Sequence, residues 1–486
     1  MIDFLTQSFP VIGGIVLTIA YFGVIATILL DNRDPNKTFA YILLLIFLPI
    51  AGLVVFYFFG RDFRKRKLFD LKGDEDQKTL QDFWKKRQQV FQRELDKLEE
   101  KEGELVDPAR MLFHQKQSLF YSGNQVQLLV NGEQKFPELF EALEAARHHI
   151  HLEYYILSDD DVGRRLTNIL VEKARQGVEV RVIADGVGAG QIGSIPKRLR
   201  EAGGQYYPFM PVRFTSFASA NYRNHRKIAV VDAEVGFVGG LNLDDRYWNT
   251  GKHDLYWRDT HLKIEGSAVN FLQLQFLMGW QFVSDHTFPL REPYFRDTSG
   301  RSSGGAVVGI VASGPDSERP YNMDVLISAI HRARRHIRIT NPYFIPSEPL
   351  KTALQVAAAS GVRVECIFPG VSDSAIVKHA SFSYLKPLLE SGVRIYLYNK
   401  GFVHAKTMTI DGQFSIIGTV NMDIRSFYIN FEIAAVVYDR QLAAQLEAAF
   451  EEDLRECTEL DAESWADRPL WQRSADSVCR LLTPLL

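Results

Sequence analysis

The chain of 486 residues has only three cysteines, Cys366, Cys457 and Cys479, and their spacing pairs none of them. That excludes a disulfide framework and a cysteine-based zinc site, and it fits a reducing compartment. A dominant charge is missing too: 56 Lys and Arg stand against 59 Asp and Glu, a net charge of −3. Without a global basic field there is no argument for a nucleic-acid partner. No cluster of His, Asp or Glu has metal-ligand spacing, so neither a metal nor another cofactor is expected. Residues 1–10 hold no Lys or Arg, and no small-residue cleavage site follows the first apolar run, which argues against a cleaved signal peptide. The length exceeds one ordinary core and predicts two or more domains.

What is present is unevenly distributed. Residues 11–30 form an uninterrupted apolar run, and residues 38–59 form a second without a charge, broken only by Pro49 and Gly52. Each is long enough to cross a bilayer as a helix. The turn at 31–37 balances its charges, whereas Arg61, Arg64, Lys65, Arg66 and Lys67 follow the second run. The positive-inside rule places residue 61 onward, and the N-terminus, in the cytoplasm. The expectation is therefore an N-terminal two-helix transmembrane hairpin over 1–60. A charged helical spacer over 61–120 follows, with the apolar stripe Leu80, Trp84, Phe91, Leu95 and Leu98.

From residue 125 the pattern alternates strand and helix, with strands expected near 126–130, 150–157 and 178–184 and helices at 136–147 and 163–176. This predicts an α/β sandwich with helices on both faces of a sheet. The order then returns. Ala146-Arg147-His148-His149-Ile150 matches Ala333-Arg334-Arg335-His336-Ile337, and Gly177-Val178-Glu179-Val180 matches Gly361-Val362-Arg363-Val364. Offsets of 187, 184 and then 179 residues show loops that differ around elements that persist. The expected division is a first lobe over 121–290, a linker over 291–305, a second lobe over 306–455 and a tail over 456–486.

One motif closes each lobe. His225, Lys227 and Asp232, followed by Asn242, recur with identical spacing as His404, Lys406 and Asp411, followed by Asn421. Period-two alternation predicts His and Lys on the same face of a strand. An imidazole and an ammonium displayed twice suit a phosphodiester: one His attacks phosphorus, the other protonates the leaving oxygen, and the lysines neutralise the non-bridging oxygens. Asn242 and Asn421 are the further phosphate ligands expected. Asp232 and Asp411 lie an odd seven residues from their His, so they are read as structural members of the motif.

These residues resemble the paired HKD motifs of the phospholipase D superfamily. The resemblance implies two lobes with half a site each, His225 as nucleophile forming a phospho-histidine, and His404 as general acid and then base. It also implies an acidic residue holding each imidazole; Asp259 and Glu432 stand at corresponding places, 34 residues after His225 and 28 after His404. The two motifs are equivalent as sequence, and only the resemblance assigns attack to His225. The family usually carries Ser after the motif Gly, where this chain has Gly240 and Thr419.

The hairpin end at Phe58 to Arg61, Asn131-Gly132, the Glu153-Tyr154-Tyr155-Ile156 element, Asn341-Pro342-Tyr343-Phe344 and Arg468-Pro469-Leu470-Trp471 together resemble bacterial cardiolipin synthases. That resemblance implies transfer of a phosphatidyl group between two phosphatidylglycerol molecules. It implies anionic phospholipids and a membrane as partners, no nucleic acid, and lobes on the cytoplasmic side of a bacterial inner membrane. A hydrolase releasing phosphatidic acid would use the same motif residues, and a catalytically dead membrane scaffold would keep its role without His225.

Overall fold

The computed structural model describes residues 18–19, 21–30, 35–53, 91–211, 221–251, 253–284, 286, 293–296 and 304–483. They fall into two compact units, one within residues 1–71 and the other from residue 91 onward. In the first unit residues 21–30 are helical, and a second helix runs over Pro35–Phe47. Ile28 and Leu45 are buried between them, with Val24, Ile25 and Ile42 packed around. Among the described residues no helix is long and apolar enough to cross a membrane. Both expected spans run outside the described residues, as do Leu80 and Trp84 of the spacer stripe.

The remaining stripe residues Phe91, Leu95 and Leu98 are buried on the second unit, Phe91 packing edge-on against Tyr121. The first half of that unit contributes β1 (Phe120–Val130), β2 (His149–Tyr154), β3 (Glu179–Asp185), β4 (Gln205–Phe209), β5 (Ile228–Val231), β6 (Val235–Gly239), β7 (Trp257–Arg258) and β8 (Thr260–Glu265). The second half supplies β9 (Ala306–Ser313), β10 (His336–Thr340), β11 (Arg363–Pro369), β12 (Arg394–Tyr398), β13 (Phe402–Val403), β14 (Thr407–Ile410), β15 (Phe414–Gly418), β16 (Glu432–Tyr438) and β17 (Cys457–Glu459).

Among the described residues fifteen strands form one sheet in the order β17-β12-β11-β10-β14-β15-β16-β9-β1-β8-β6-β5-β2-β3-β4. Apart from β17, the order is a palindrome about the β9–β1 contact, which is the duplication written into strand pairing. In each half three strands run parallel with helical crossovers, and the motif hairpin joins them antiparallel. The halves thus share a sheet instead of holding separate ones. The cause is the length of β1: residues 125–130 pair with β8, while Phe120, Tyr121 and Asn124 pair with β9. Asn124 fixes the irregularity between these pairings, its buried carboxamide bonding Tyr121 O, Ala306 O and Ala268 N–H. β17 lies beyond residue 455, yet it pairs with β12 and extends the sheet edge.

The motif does not sit in a strand as alternation predicted. β5 begins at Ile228 and β14 at Thr407, each just after the motif Lys. The backbone preceding each strand leaves the shared sheet to pair with the opposite half. Asn224 bridges Phe431, and β13 runs parallel to β7 with Val403 opposite Arg258.

Each motif Asp occupies the hairpin turn that ends its strand, in left-handed conformation (φ 54° at both Asp232 and Asp411). The following residue is also left-handed, Ala233 in one half and Gly412 in the other, so that a three-residue connection closes with Glu234 N–H on Val231 O and Gln413 N–H on Ile410 O. The Asp232 carboxylate accepts the N–H groups of Arg147, His148 and His149, each at 2.8 Å. Asp411 does the same for Arg334, Arg335 and His336. The structural reading of both aspartates fits this geometry: each carboxylate serves three successive backbone amides in the repeated segment that faces it.

Candidate active site

The cross-half pairing just described sets the site. His225 N–H donates to Phe431 O at 2.9 Å, which places its ring beside the next residue, Glu432. Likewise His404 N–H donates to Arg258 O at 2.6 Å, beside Asp259. The outcome is two swapped pairs: His225 Nδ1 lies 2.9 Å from Glu432 Oε1, and His404 Nδ1 lies 2.6 Å from Asp259 Oδ2. Each imidazole therefore takes its carboxylate from the other half, an arrangement that sequence offsets did not reveal. With Nδ1–H committed to a carboxylate, Nε2 is left as the working nitrogen of each ring.

Both carboxylates are fully buried, but they are held differently. In the second half, Thr419 Oγ1 donates to Glu432 and accepts the Ile433 N–H at 3.0 Å. In the first half, Gly240 N–H reaches Thr260 O as Thr419 N–H reaches Ile433 O, so the positions are equivalent. There, however, Asp259 Oδ1 itself accepts the Thr260 N–H, at 2.6 Å. The shorter side chain has taken over the bond that a hydroxyl makes opposite. A Cβ on Gly240 would stand 2.1 Å from Asp259 Oδ1, so the missing hydroxyl is a steric consequence of the shorter acid.

The lysines are buried and point back along their own motif. Lys227 Nζ donates to His225 O at 2.7 Å, and Lys406 Nζ donates to His404 O. Burial lowers Lys227 to about 7 and Lys406 to about 8, against the pull of Asp259 and Glu432. Burial also lowers His225, opposed by Glu432, and it lowers His404 to about 3 with help from Lys406. Glu432 is lowered although burial alone would raise it, because His225, Lys227 and Thr419 outweigh desolvation. A cluster whose cations are all destabilised by burial is one that an anion would stabilise.

Both histidines line a single cavity of about 470 Å³ with Asn242 and Asn421. Asn242 accepts Ile156 N–H at 3.1 Å and donates to Tyr247 Oη at 2.7 Å, leaving one amide hydrogen for the cavity. Asn421 Oδ1 is buried and has no partner among the described residues. Residues that sequence reasoning missed complete the wall. Tyr155 stands edge-on to His225 at 5.1 Å, and Trp257 packs on His404 at 5.4 Å. Arg223, ion-paired to Asp185 at 3.1 Å, and Arg425 bring two guanidinium groups. Tyr155 belongs to the Glu153–Ile156 element already singled out; the arginines carry no local signal. Lys135 lies beneath the floor, wholly buried, with Nζ 3.3 Å from Asn242 O. Among the described residues no group of three or more His, Cys, Asp or Glu is arranged to hold a metal ion.

Known proteins share this architecture. A family model described as "Cardiolipin synthase, PLD-like domain" matches residues 139–265 and 326–454, and one described as "Phospholipase_D-nuclease N-terminal" matches residues 18–61. The cardiolipin synthase of Geobacillus sp. (strain WCH70) is 40% identical over 99% of this chain and 96% of its own. That of Listeria monocytogenes serotype 4b (strain CLIP80459) is 37% identical over 97% and 98%. Among solved structures, phosphatidylserine synthase of Haemophilus influenzae Rd KW20 superposes with a TM-score of 0.60 at 16% identity, covering 79% of this chain and 100% of that one. This last likeness is one of fold. With two family matches and near-full-length relatives behind it, the chain belongs to the cardiolipin synthases, phosphatidyltransferases of the phospholipase D superfamily.

Proposed function

We propose that this cavity transfers a phosphatidyl group from one phosphatidylglycerol to the glycerol hydroxyl of another, giving cardiolipin and free glycerol. The observation that carries the reading is the pair of carboxylate-held imidazoles, each assembled across the two halves and both opening on one cavity. His225 Nε2 attacks phosphorus, and the departing glycerol oxygen takes a proton from His404. The phosphatidyl-histidine then receives a second phosphatidylglycerol, whose hydroxyl loses its proton to His404 as it attacks and frees His225. Glu432 and Asp259 fix the tautomers and stabilise the imidazolium that forms. Lys227, Lys406 and the amides of Asn242 and Asn421 stabilise charge on the non-bridging oxygens. The phosphate's own charge raises the imidazole that must start protonated. Asp232 and Asp411 act on the frame and not on the chemical step.

The same reading places the chain at a bacterial inner membrane, anchored by a hairpin over 11–30 and 38–59 with the catalytic halves in the cytoplasm. Its support is the two apolar runs, the packed helices around Ile28 and Leu45, the basic cluster at 61–67 and the N-terminal family match. A site apposed to lipid favours an alcohol over water as acceptor. The domain map proposed is 1–60 hairpin, 61–120 spacer, 121–290 first lobe, 291–305 linker, 306–455 second lobe and 456–486 tail.

The test supplies purified protein with labelled phosphatidylglycerol in mixed micelles, beside His225→Ala and His404→Ala. Cardiolipin and glycerol, lost in either variant, is the expected outcome. Phosphatidic acid as the main product would replace transfer by hydrolysis. Unchanged turnover in both variants would remove the histidines from the mechanism.

A further inference from the structure

The tail helix Leu470–Arg480 is amphipathic in the wrong sense for a soluble protein. Leu470, Trp471 and Val478 face outward at 75%, 67% and 62% exposure, and Leu481 just beyond the helix at 78%. The buried position is instead an acid. Asp476 is 3% exposed, facing His379 Nδ1 at 2.7 Å and accepting from Arg468 at 2.9 Å. A surface helix ordinarily turns its apolar stripe inward. Here polar bonds dock the helix, and the apolar stripe is left over.

The helix that docks the tail also lines the catalytic cavity. His379 belongs to the helix Ala375–Phe382, which contributes Val377 to the cavity wall and leaves Ile376 exposed. Asp373 and Ser374, on the approach to that helix, line the same cavity. Apart from the buried Asp476, the only charged side chains on the tail helix are Arg473 and Arg480, and both are exposed. An apolar stripe with a tryptophan, flanked by exposed arginines, matches the boundary between anionic headgroups and acyl chains.

We propose that this face docks on an anionic phospholipid bilayer, setting the cavity mouth at the lipid surface so that a substrate enters headgroup first with its acyl chains still in the membrane. The proposal rests on the phospholipid reading of the cavity. It adds a second membrane contact, separate from residues 11–59. Its role is to deliver substrate, and the stripe takes no part in phosphorus chemistry.

The test uses the full-length protein in vesicles of phosphatidylglycerol and phosphatidylcholine, with the double variant Trp471→Gln, Val478→Gln. Losing two apolar anchors is expected to raise the apparent KM for vesicle substrate by about ten-fold or more. Turnover of a short-chain phosphatidylglycerol below its micelle concentration should stay within about two-fold. Brominated lipids should quench a component of tryptophan fluorescence that disappears in Trp471→Phe. Equal loss on both substrates would assign the helix a folding role and overturn the proposal. An unquenched Trp471 would overturn it too: a changed molecular mass of the double variant in detergent would name a second copy as the occupant, and an unchanged mass the chain's own N-terminal segment. Wild-type protein inactive on both substrates would instead bring down the reading of the cavity itself.

Discussion

Gly240 is the position where the two halves differ most consequentially, and Gly240→Ala is a sharp test of the site. The added methyl would begin 2.1 Å from Asp259 Oδ1, against an ordinary contact of 3.4 Å or more. The carboxylate must therefore retreat by about 1 Å, and a displacement of that size in a catalytic constellation costs on the order of 10²-fold in rate. Full loss of the carboxylate from a His–acid pair costs about 10⁴-fold, which bounds the effect from above. The assay is steady-state cardiolipin formation, read as kcat, with a thermal melt to confirm that the variant is folded. The loss should fall on kcat, since the imidazole is misoriented while the cavity stays open. Transplanting the opposite pair, Gly240→Thr with Asp259→Glu, should recover at least about ten-fold over Gly240→Thr alone, because it restores the hydroxyl–carboxylate geometry of Thr419 and Glu432. A folded Gly240→Ala enzyme with kcat within about three-fold of wild type would refute the reasoning, since Asp259 could then move without consequence.

Two further outcomes concern stability. Asp411→Asn keeps a residue that tolerates the left-handed turn but removes the charge serving three amides; it should cost about 3 kcal/mol in denaturant unfolding, with turnover per folded molecule largely kept. His149 is buried beside His148 and His151, and burial, then those two rings, lower it from 6.5 to about 2. Between pH 6.5 and about 2 the unfolded chain binds this proton and the folded chain does not, so stability falls as pH drops below 6.5. The slope is at most about 1.4 kcal/mol per pH unit for this one group. His149→Phe should flatten it in urea titrations at pH 5 to 7, and an unchanged slope would place the effect elsewhere.

The elements legible in the sequence were those with local period or exact repetition. Spacing alone picked out His225, Lys227, His404 and Lys406, and a drifting offset gave the duplication that the palindromic sheet displays. The sequence also offered Asp259 and Glu432, but not their crossing over. Asp259 meets a histidine 145 residues away and Glu432 one 207 away, through backbone bridges of two residues (Trp257 and Arg258 against Phe402 and Val403) and of one (Asn224 against Phe431). No hydrophobic period encodes such a contact. The same contacts pull His225 and His404 out of the strands that alternation assigned to them. Lys135 was missed for another reason. It sits on an otherwise ordinary helix, and only the fold reveals that carbonyls of residues 241 and 242 close over it.

The exchange of carboxylates has a consequence for what either half could do alone. A half-length chain ending before β9 would hold His225 with no acid to orient it, and would hold Asp259 with no imidazole to serve. Such a chain could gain a working site only by pairing with a second copy of itself, head to head about a two-fold axis. The present chain carries both halves of that pairing in one polypeptide, so the two need not be identical. Gly240 with Asp259, and Thr419 with Glu432, are two solutions to one geometric problem that a homodimer would have had to solve identically twice.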